Sequence, residues 1–136
     1  MTDSLLQSFK LKHLNLKNRI ITTSHEPAYN EGGFPKDRYV AYHLERAKGG
    51  IAMTMTAGST VVSKDSPPSF DNIHAYKDEV VPWIKKLTEA IHDQDCKIMI
   101  QLTHLGRRTS WSKGDWLPSI SSGKHREPAH KAFPKV

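Results

Sequence analysis

Apolar and polar positions along this chain predict strands and helices in alternation. Residues 9–11 and 14–18 alternate apolar and polar side chains around a short turn, which predicts a small hairpin. Short apolar runs typical of buried strands occupy residues 19–23, 51–56 and 97–100. Apolar residues recur at helical spacing over residues 39–47 and 80–91. Gly49-Gly50 is expected to end the first of these helices.

This order of elements predicts an α/β fold with a parallel sheet. Strands that alternate with helices are joined by right-handed crossovers, so the three strands should lie side by side. Two helices cannot cover such a sheet completely, and at least one sheet edge would stay unpaired. We therefore expect residues 1–136 to be the opening part of a (β/α)8 TIM barrel, with strands one to three preceded by the hairpin. Residues 103–136 predict a long loop, because they are rich in Ser, Pro, Gly and charge.

Polar residues follow each of the three predicted strands. The first strand ends in the hydroxyl-rich segment 22–26, the second in the segment 56–59, and the third at Gln101. The carboxyl ends of parallel barrel strands meet at one face, where such barrels keep their chemistry. A primary amide offers a donor and an acceptor in one plane, and small residues let a flat ring approach the backbone. The three strand ends together suit a planar heterocycle with imide edges.

Charge and cysteine content exclude several other kinds of site. The chain has 20 Lys and Arg against 14 Asp and Glu, a net charge of +6, but the basic residues are scattered. No nucleic-acid partner is therefore expected. The lone Cys96 excludes an internal disulfide and a cysteine-ligated metal site, and no metal is expected within this stretch. The sequence shows no signal peptide and no run of about 20 apolar residues, so a cytoplasmic protein without a membrane partner is expected.

Three separated motifs stand out along the chain, namely Asn18-Arg19-Ile20 leading to Ser24-His25-Glu26, residues 42–50 (YHLERAKGG) and residues 101–108 (QLTHLGRR). Together these motifs resemble the old yellow enzyme family of NADH:flavin oxidoreductases. The resemblance extends from Phe9 to about residue 116 and is specific, because the motifs occur in order at compatible spacing. The chain is most similar to the long branch of the family that contains 2,4-dienoyl-CoA reductase, trimethylamine dehydrogenase and dimethylglycine-type N-demethylases.

The resemblance implies an FMN-binding barrel domain whose N-terminal portion is residues 1–136. Family members hold the flavin after strands one to three, and the matching residues here are Thr23, Ser24, His25, Ala57, Gly58 and Gln101. The residues that bind the FMN phosphate lie on later strands of the family's barrel. Trimethylamine dehydrogenase carries a flavin-linked cysteine where this chain has Glu26, so the FMN is expected to be noncovalent. The long branch also implies a 4Fe-4S cluster and an FAD- or ADP-binding domain in the C-terminal part of the complete protein.

Four residues are candidates for the substrate side of the flavin, namely His25, Glu26, Tyr29 and His104. Glu26 follows the first strand and offers an anionic partner for a cationic amine. The alternative for His25 and Glu26 is a charge pair that ties down a loop. His104 has at least an equal claim to be hydrogen-bonded within its own loop. His43 lies on a predicted helix and is expected to be structural.

The expected activity is that of an FMN-dependent oxidoreductase that transfers hydride through flavin N5. Glu26 favours oxidative N-demethylation of a small methylated amine, and the alternative is NAD(P)H-dependent reduction of an enoyl or enone substrate. Further alternatives are a non-flavin barrel enzyme with His25, Glu26 and His104 as acid and base, or a noncatalytic interaction module. The expected partners are a small-molecule substrate, NAD(P)H or an electron-transfer partner, and further copies of the chain in a homo-oligomer.

Overall fold

The computed structural model describes residues 3–57, 60–66 and 70–106. The described residues form seven short strands, β1 (Phe9–Leu11), β2 (Leu14–Leu16), β3 (Met53–Met55), β4 (Thr60–Val61), β5 (Ile73–His74), β6 (Lys97–Met99) and β7 (Leu102–Thr103). The helices are α1 (Asp37–Lys48) and α2 (Val81–His92), with 3-10 turns at Ser4–Leu6 and Asp78–Val80. The predicted hairpin, both predicted helices and the second and third predicted strands are thereby confirmed.

The hairpin covers the amino end of the central strand β3. Strands β1 and β2 pair antiparallel, with Phe9 opposite Leu16, and Lys12 takes a positive φ of 53° in the turn. Leu16 forms a small buried cluster with Ala52 and Met53. This cluster closes one end of the sheet, so the polar carboxyl ends of the strands lie at the other end.

The sheet runs parallel, as predicted, but its first strand is reduced to a single bridge. Strands β3 and β6 pair in parallel with Met53 opposite Lys97. Residues 19–23 were expected to form a full strand, yet only Ile21 makes a parallel bridge, to Met53. Two backbone hydrogen bonds hold the segment, from Ala52 N–H to the Ile20 carbonyl and from Thr22 N–H to the Met53 carbonyl. Beyond Thr22 a side-chain hydrogen bond takes the place of the backbone ladder, from the Ser24 hydroxyl to the Thr56 carbonyl.

Helix α1 ends where the glycine pair predicts, and its end is tied to the first strand segment. Gly50 takes a positive φ of 95° and donates its N–H to the Ala47 carbonyl, a conformation that favours glycine. The buried Asn18 side chain donates to the Gly50 carbonyl at 2.7 Å and accepts from the Ile20 N–H at 3.0 Å. One amide therefore fixes the helix end relative to the strand that carries the candidate site.

The hydrophobic core lies between the two helices and one face of the sheet. Its buried residues are Tyr39, Val40, Ala47, Ala57, Ile73, Val80, Leu87, Ile91 and Cys96. Thr54 and Ile98 face this core, since Thr54 contacts His43 of α1 and Ile98 packs on the cluster. The alternate positions Ile21 and Met99 lie on the opposite face and are 44% and 43% exposed. That face corresponds to the interior of a complete barrel.

A second small sheet follows the carboxyl ends of strands β3 and β6. Strand β4 lies between β5 and β7 and is parallel to both. The sequence predicted a loop from residue 103 onward, so this prediction is wrong at Thr103 of β7, and strands β4 and β5 were not predicted. Two-residue strands are set by their partners and have no periodicity of their own to detect. Within the described residues, no helix is long and apolar enough to cross a bilayer.

Candidate functional site

The carboxyl ends of the three predicted strands meet at Thr56, a fully buried residue. The Ser24 hydroxyl donates to the Thr56 carbonyl at 2.7 Å. The Gln101 backbone N–H donates to Thr56 Oγ1 at 3.1 Å. The Thr56 N–H in turn donates to the Met99 carbonyl at 2.8 Å. The structure therefore brings Ser24 and Gln101 to one edge of the sheet, as a parallel arrangement predicts.

The parallel ladder is interrupted at this same edge. Met55 pairs with Met99 and Thr60 pairs with Leu102. Between these two pairs the first segment advances by five residues and the second by only three. The interruption begins at Ala57, whose N–H donates to the phenolic oxygen of Tyr39 at 2.9 Å. Tyr39 lies on α1 and is fully buried, and burial raises the pKa of its phenol, so it stays neutral. Gly58 lies outside the described residues, and its predicted contact with the flavin stays a prediction.

Three of the predicted cofactor residues are exposed around this edge, namely Thr23, His25 and Gln101. Among the described residues the Gln101 side chain makes no hydrogen bond, although its backbone is anchored to Thr56. Ser24 is half-buried and Ala57 is buried. Their hydrogen bonds instead fix the backbone beside the exposed side chains. The arrangement offers a hydroxyl, an imidazole and an amide above a fixed backbone.

An open cleft of about 490 Å³ lies between the first strand segment and α1. Its lining includes Thr23, His25 and Met55, together with Tyr42 and Arg46 from the helix. The His25 and Tyr42 rings stack with centroids 6.4 Å apart. The Arg46 guanidinium lies 3.5 Å from the centroid of the Tyr42 ring on the same helix. His25 is therefore supported from α1 by an aromatic ring.

Glu26 lies in the loop after the first strand segment and is half-buried. Its Oε1 accepts a hydrogen bond from the Ala28 N–H at 2.8 Å, and Ala28 takes a positive φ of 54°. Burial raises the pKa of the Glu26 carboxyl, and the nearby Asp71 raises it further, while the Ala28 N–H and His25 lower it. Glu26 therefore stabilises a tight turn and also carries a carboxylate that is more basic than usual.

The other two substrate-side candidates are held by local contacts. Tyr29 packs edge-on against Tyr42 with centroids 5.7 Å apart, and the Arg38 guanidinium lies 3.8 Å from its ring centroid. His104 accepts from the Gly106 N–H at 2.9 Å through Nδ1, while its Nε2 lies 3.2 Å from Asp65 Oδ1. The Gly106 contact fits the alternative in which His104 is hydrogen-bonded within its own loop, whereas Asp65 lies on a different loop. Substrate-side roles for both residues stay predictions.

Sequence reasoning missed Tyr39 as part of the site, because Tyr39 was one of the apolar positions of a predicted helix. Thr56 was placed at the end of the second predicted strand, but its contacts were not predicted. Tyr39 and Thr56 are both buried, but burial alone does not identify the backbone group that each hydroxyl contacts. His43, expected to be structural, is 1% exposed with Nδ1 2.7 Å from Thr54 Oγ1. For Tyr39, Thr56 and His43, the sequence signal of a buried hydrogen bond was a polar atom within a predicted apolar pattern.

Comparison with known proteins places these residues in a family. A model described as the NADH:flavin oxidoreductase / NADH oxidase family matches residues 4–126. The chain is 66% identical over 133 residues to "Probable N-methylproline demethylase" of Rhizobium meliloti (strain 1021), covering 98% of this chain and 20% of that protein. It is 46% identical over 135 residues to "Multifunctional alkene reductase/demethylase OYE" of Caballeronia cordobensis, covering 99% and 20%. It is 36% identical over 136 residues to "N,N-dimethylglycine/sarcosine dehydrogenase" of Chromohalobacter salexigens, covering 98% and 20%.

Solved structures confirm the predicted fold. A complex of 2-naphthoyl-CoA reductase with 2-naphthoyl-CoA superposes with a TM-score of 0.73 and 25% identity, over 79% of this chain and 16% of that one. Old Yellow Enzyme from Pichia sp. AKU4542 superposes with a TM-score of 0.71 and 25% identity, over 79% and 28%. The chain spans about a fifth of the length of the three curated relatives. It has the fold of the opening part of a TIM barrel and belongs to the NADH:flavin oxidoreductase / NADH oxidase family, as its three motifs indicate.

Proposed function

We propose that the chain is the N-terminal portion of an FMN-binding barrel in an oxidoreductase that demethylates a small methylated amine. The 66% identity to the protein named N-methylproline demethylase carries this proposal. The relatives at 46% and 36% identity, named alkene reductase/demethylase and dimethylglycine/sarcosine dehydrogenase, support it. Because the chain spans only a fifth of these proteins, the activity is proposed for the complete protein.

The residues at the strand ends fit a noncovalently bound flavin. Gln101 exposes a primary amide whose donor and acceptor suit the imide-like pyrimidine edge of the ring. Thr23 exposes its hydroxyl and Ala57 has a small side chain, so we propose that a planar ring lies against the backbone here. The contact of Gly58 with the flavin stays a prediction. Ser24 supports this position through its bond to the Thr56 carbonyl. Residues that bind the FMN phosphate are proposed to lie elsewhere in the complete protein.

Glu26 is proposed to prepare the amine for oxidation. A bound flavin would supply the acceptor for hydride from the N-methyl carbon. A cationic amine must first lose its proton, because only the free lone pair stabilises the iminium that hydride loss leaves. The raised pKa of Glu26 makes its carboxylate a better base than an exposed glutamate. Water then hydrolyses the iminium to formaldehyde and the demethylated amine.

The substitution Glu26→Gln tests this role. Glutamine keeps an oxygen that can accept the Ala28 N–H, so the tight turn is retained while the charge is lost. We expect kcat/KM for a methylated amine to fall about 10- to 100-fold. This loss is smaller than that for breaking a fully buried ion pair, because Glu26 is only half-buried. Reduction of a neutral enone by the same variant should change by less than about threefold.

Glu31 provides a matched control on the same loop. Its side chain is 57% exposed and pairs with Lys36 at 3.6 Å, so Glu31→Gln removes the same charge away from buried surroundings. That variant should leave both reactions near their wild-type rates. Equal losses of amine and enone turnover in Glu26→Gln would contradict the proposed role of Glu26 as a base for the amine and favour the second candidate.

The second candidate is NAD(P)H-dependent reduction of an enoyl or enone substrate. It is favoured by the name of the Caballeronia relative, which joins alkene reduction and demethylation in one protein. A yellow purified protein with flavin absorbance would support both candidates over a barrel enzyme without flavin.

For either candidate we also propose NAD(P)H or an electron-transfer partner, a homo-oligomer and a cytoplasmic location. An iron–sulfur cluster and an FAD- or ADP-binding domain are proposed for the C-terminal part, and iron analysis of the complete protein tests the cluster.

A further inference from the structure

We propose that Thr56 is a positioning residue, whose hydroxyl fixes Gln101 at the flavin edge and thereby sets FMN affinity and reduction potential. The proposal rests on the proposed function, because it assumes that FMN binds at the three strand ends. Thr56 is 0% exposed, so its side chain does not reach a ligand on the open face. Any effect of Thr56 on the cofactor must therefore pass through the groups to which it is hydrogen-bonded.

The polar groups of Thr56 contact two different strand ends. Its carbonyl accepts from the Ser24 hydroxyl at 2.7 Å, which attaches the end of the first strand segment. Its N–H donates to the Met99 carbonyl at 2.8 Å, and its hydroxyl accepts from the Gln101 N–H at 3.1 Å. The last two contacts attach the end of β6. No other described residue joins both of these strand ends by hydrogen bonds.

The hydroxyl is needed because the ladder fails at this point. The Gln101 N–H lies between the pairs Met55 with Met99 and Thr60 with Leu102, where the two segments have unequal lengths. Thr56 Oγ1 accepts from the partly buried Gln101 N–H and so replaces the missing ladder carbonyl. The single hydroxyl proton has one described acceptor nearby, Thr60 Oγ1 at 3.5 Å.

The consequence for the cofactor follows from the position of Gln101. Its backbone is anchored by the Thr56 hydroxyl, while its amide side chain is exposed at the edge where the pyrimidine ring is proposed to lie. Loss of the anchor leaves the Gln101 N–H without a partner and frees the segment to move. The amide would then be displaced from the ring edge, where charge develops on reduction.

Two substitutions separate the hydroxyl from the shape of the side chain. Thr56→Val keeps the branched shape and removes the oxygen, whereas Thr56→Ser keeps the oxygen and removes only a methyl group. In the full-length protein, we expect Thr56→Val to weaken FMN binding about 10-fold, the cost of an unpaired N–H. It should also shift the reduction potential in the same direction as Gln101→Leu. Thr56→Ser should stay within about twofold of wild type in FMN affinity.

Hydrogen exchange of the apo-protein provides a readout independent of the flavin. The Gln101 amide should exchange about 10-fold faster in Thr56→Val and at the wild-type rate in Thr56→Ser. In the double variant with Gln101→Leu, the shift in potential should not exceed that of Gln101→Leu alone, because Thr56 acts through Gln101.

Two outcomes would overturn the proposal. Unchanged FMN affinity and potential in Thr56→Val would limit the hydroxyl to a structural role. A tenfold weakening in Thr56→Ser would assign the effect to the methyl group, and this outcome can be measured even if Thr56→Val does not fold. Wild-type protein that binds FMN but oxidises no amine would leave the Thr56 proposal standing and remove only the proposed substrate.

Discussion

His43 should make the stability of this fold depend on pH in a defined direction. It lies on α1, is 1% exposed, and its Nε2 has no hydrogen-bond partner among the described residues. Its Nδ1 lies 2.7 Å from Thr54 Oγ1, which itself lies 3.0 Å from Thr22 Oγ1 of the first strand segment. Burial, with the positive charge of Arg46, lowers the pKa of His43 from its usual 6.5 to about 4. The imidazole is therefore neutral in the folded protein.

The size of the effect follows from the two pKa values. Between pH 6.5 and pH 4 the unfolded chain binds a proton at His43 that the folded chain does not, so stability falls as the pH falls. Above pH 6.5 both states are neutral at this residue, and the full contribution is present. Because one pKa unit corresponds to about 1.4 kcal/mol, the complete loss is about 3 kcal/mol in the free energy of unfolding.

The substitution His43→Asn removes the titration and keeps a nitrogen or oxygen where Nδ1 lay, within reach of Thr54. Urea unfolding at pH 7.5, 6.5, 5 and 4 should show a decrease in stability about 3 kcal/mol smaller in the variant than in wild type. His92→Asn is the control, because His92 is on the exposed face of α2 and is solvated in both states. Equal decreases in wild type and His43→Asn would refute the reasoning.

Two further predictions concern the loop before α1 and the flavin edge. Gly33→Ala should destabilise the fold by about 3 kcal/mol, because its Cβ would lie 2.1 Å from His74 Nδ1 at a φ of +88°. Gly32→Ala should lose only about 1 kcal/mol, since φ is +63° but no atom of the described residues beyond its chain neighbours lies within 4 Å of the added Cβ. Equal shifts of the urea midpoints in the two variants would contradict the contact with His74. Gln101→Leu should keep the fold but shift the reduction potential of the flavin, at a cost of about 1–3 kcal/mol for the unpaired pyrimidine edge. Unchanged potential and turnover would remove Gln101 from the site.

The elements that could be predicted from the sequence are those set by local periodicity and turn chemistry. Helix α1 begins at Asp37 and ends before Gly50, because an amphipathic pattern is followed by a residue suited to positive φ. The hairpin and the strands β3 and β6 follow for the same reason. Strand β4 could not be predicted, because its two residues become a strand only when β5 and β7 lie beside them.

The same distinction between local pattern and contacts with distant segments applies to the candidate site. The alternation of strands and helices predicted that Ser24 and Gln101 would lie at one edge, since parallel strands bring their carboxyl ends together. Spacing could not predict which polar atoms of the neighbouring residues are already engaged. His104 has both ring nitrogens within hydrogen-bond distance of partners in nearby loops, whereas the Gln101 amide is exposed over an anchored backbone.

Whether a side chain is available to a ligand therefore depends on contacts between segments that are distant in sequence. Gln101 and Thr56 are 45 positions apart, and Ala57 and Tyr39 are 18 apart. These bonds satisfy backbone groups at the interruption of the ladder, so the exposed side chains do not have to turn inward to do so. A residue suits ligand binding at this edge when others satisfy its backbone. By that criterion, Gln101 has the strongest support among the predicted flavin contacts, and Thr56 is the residue on which that support depends.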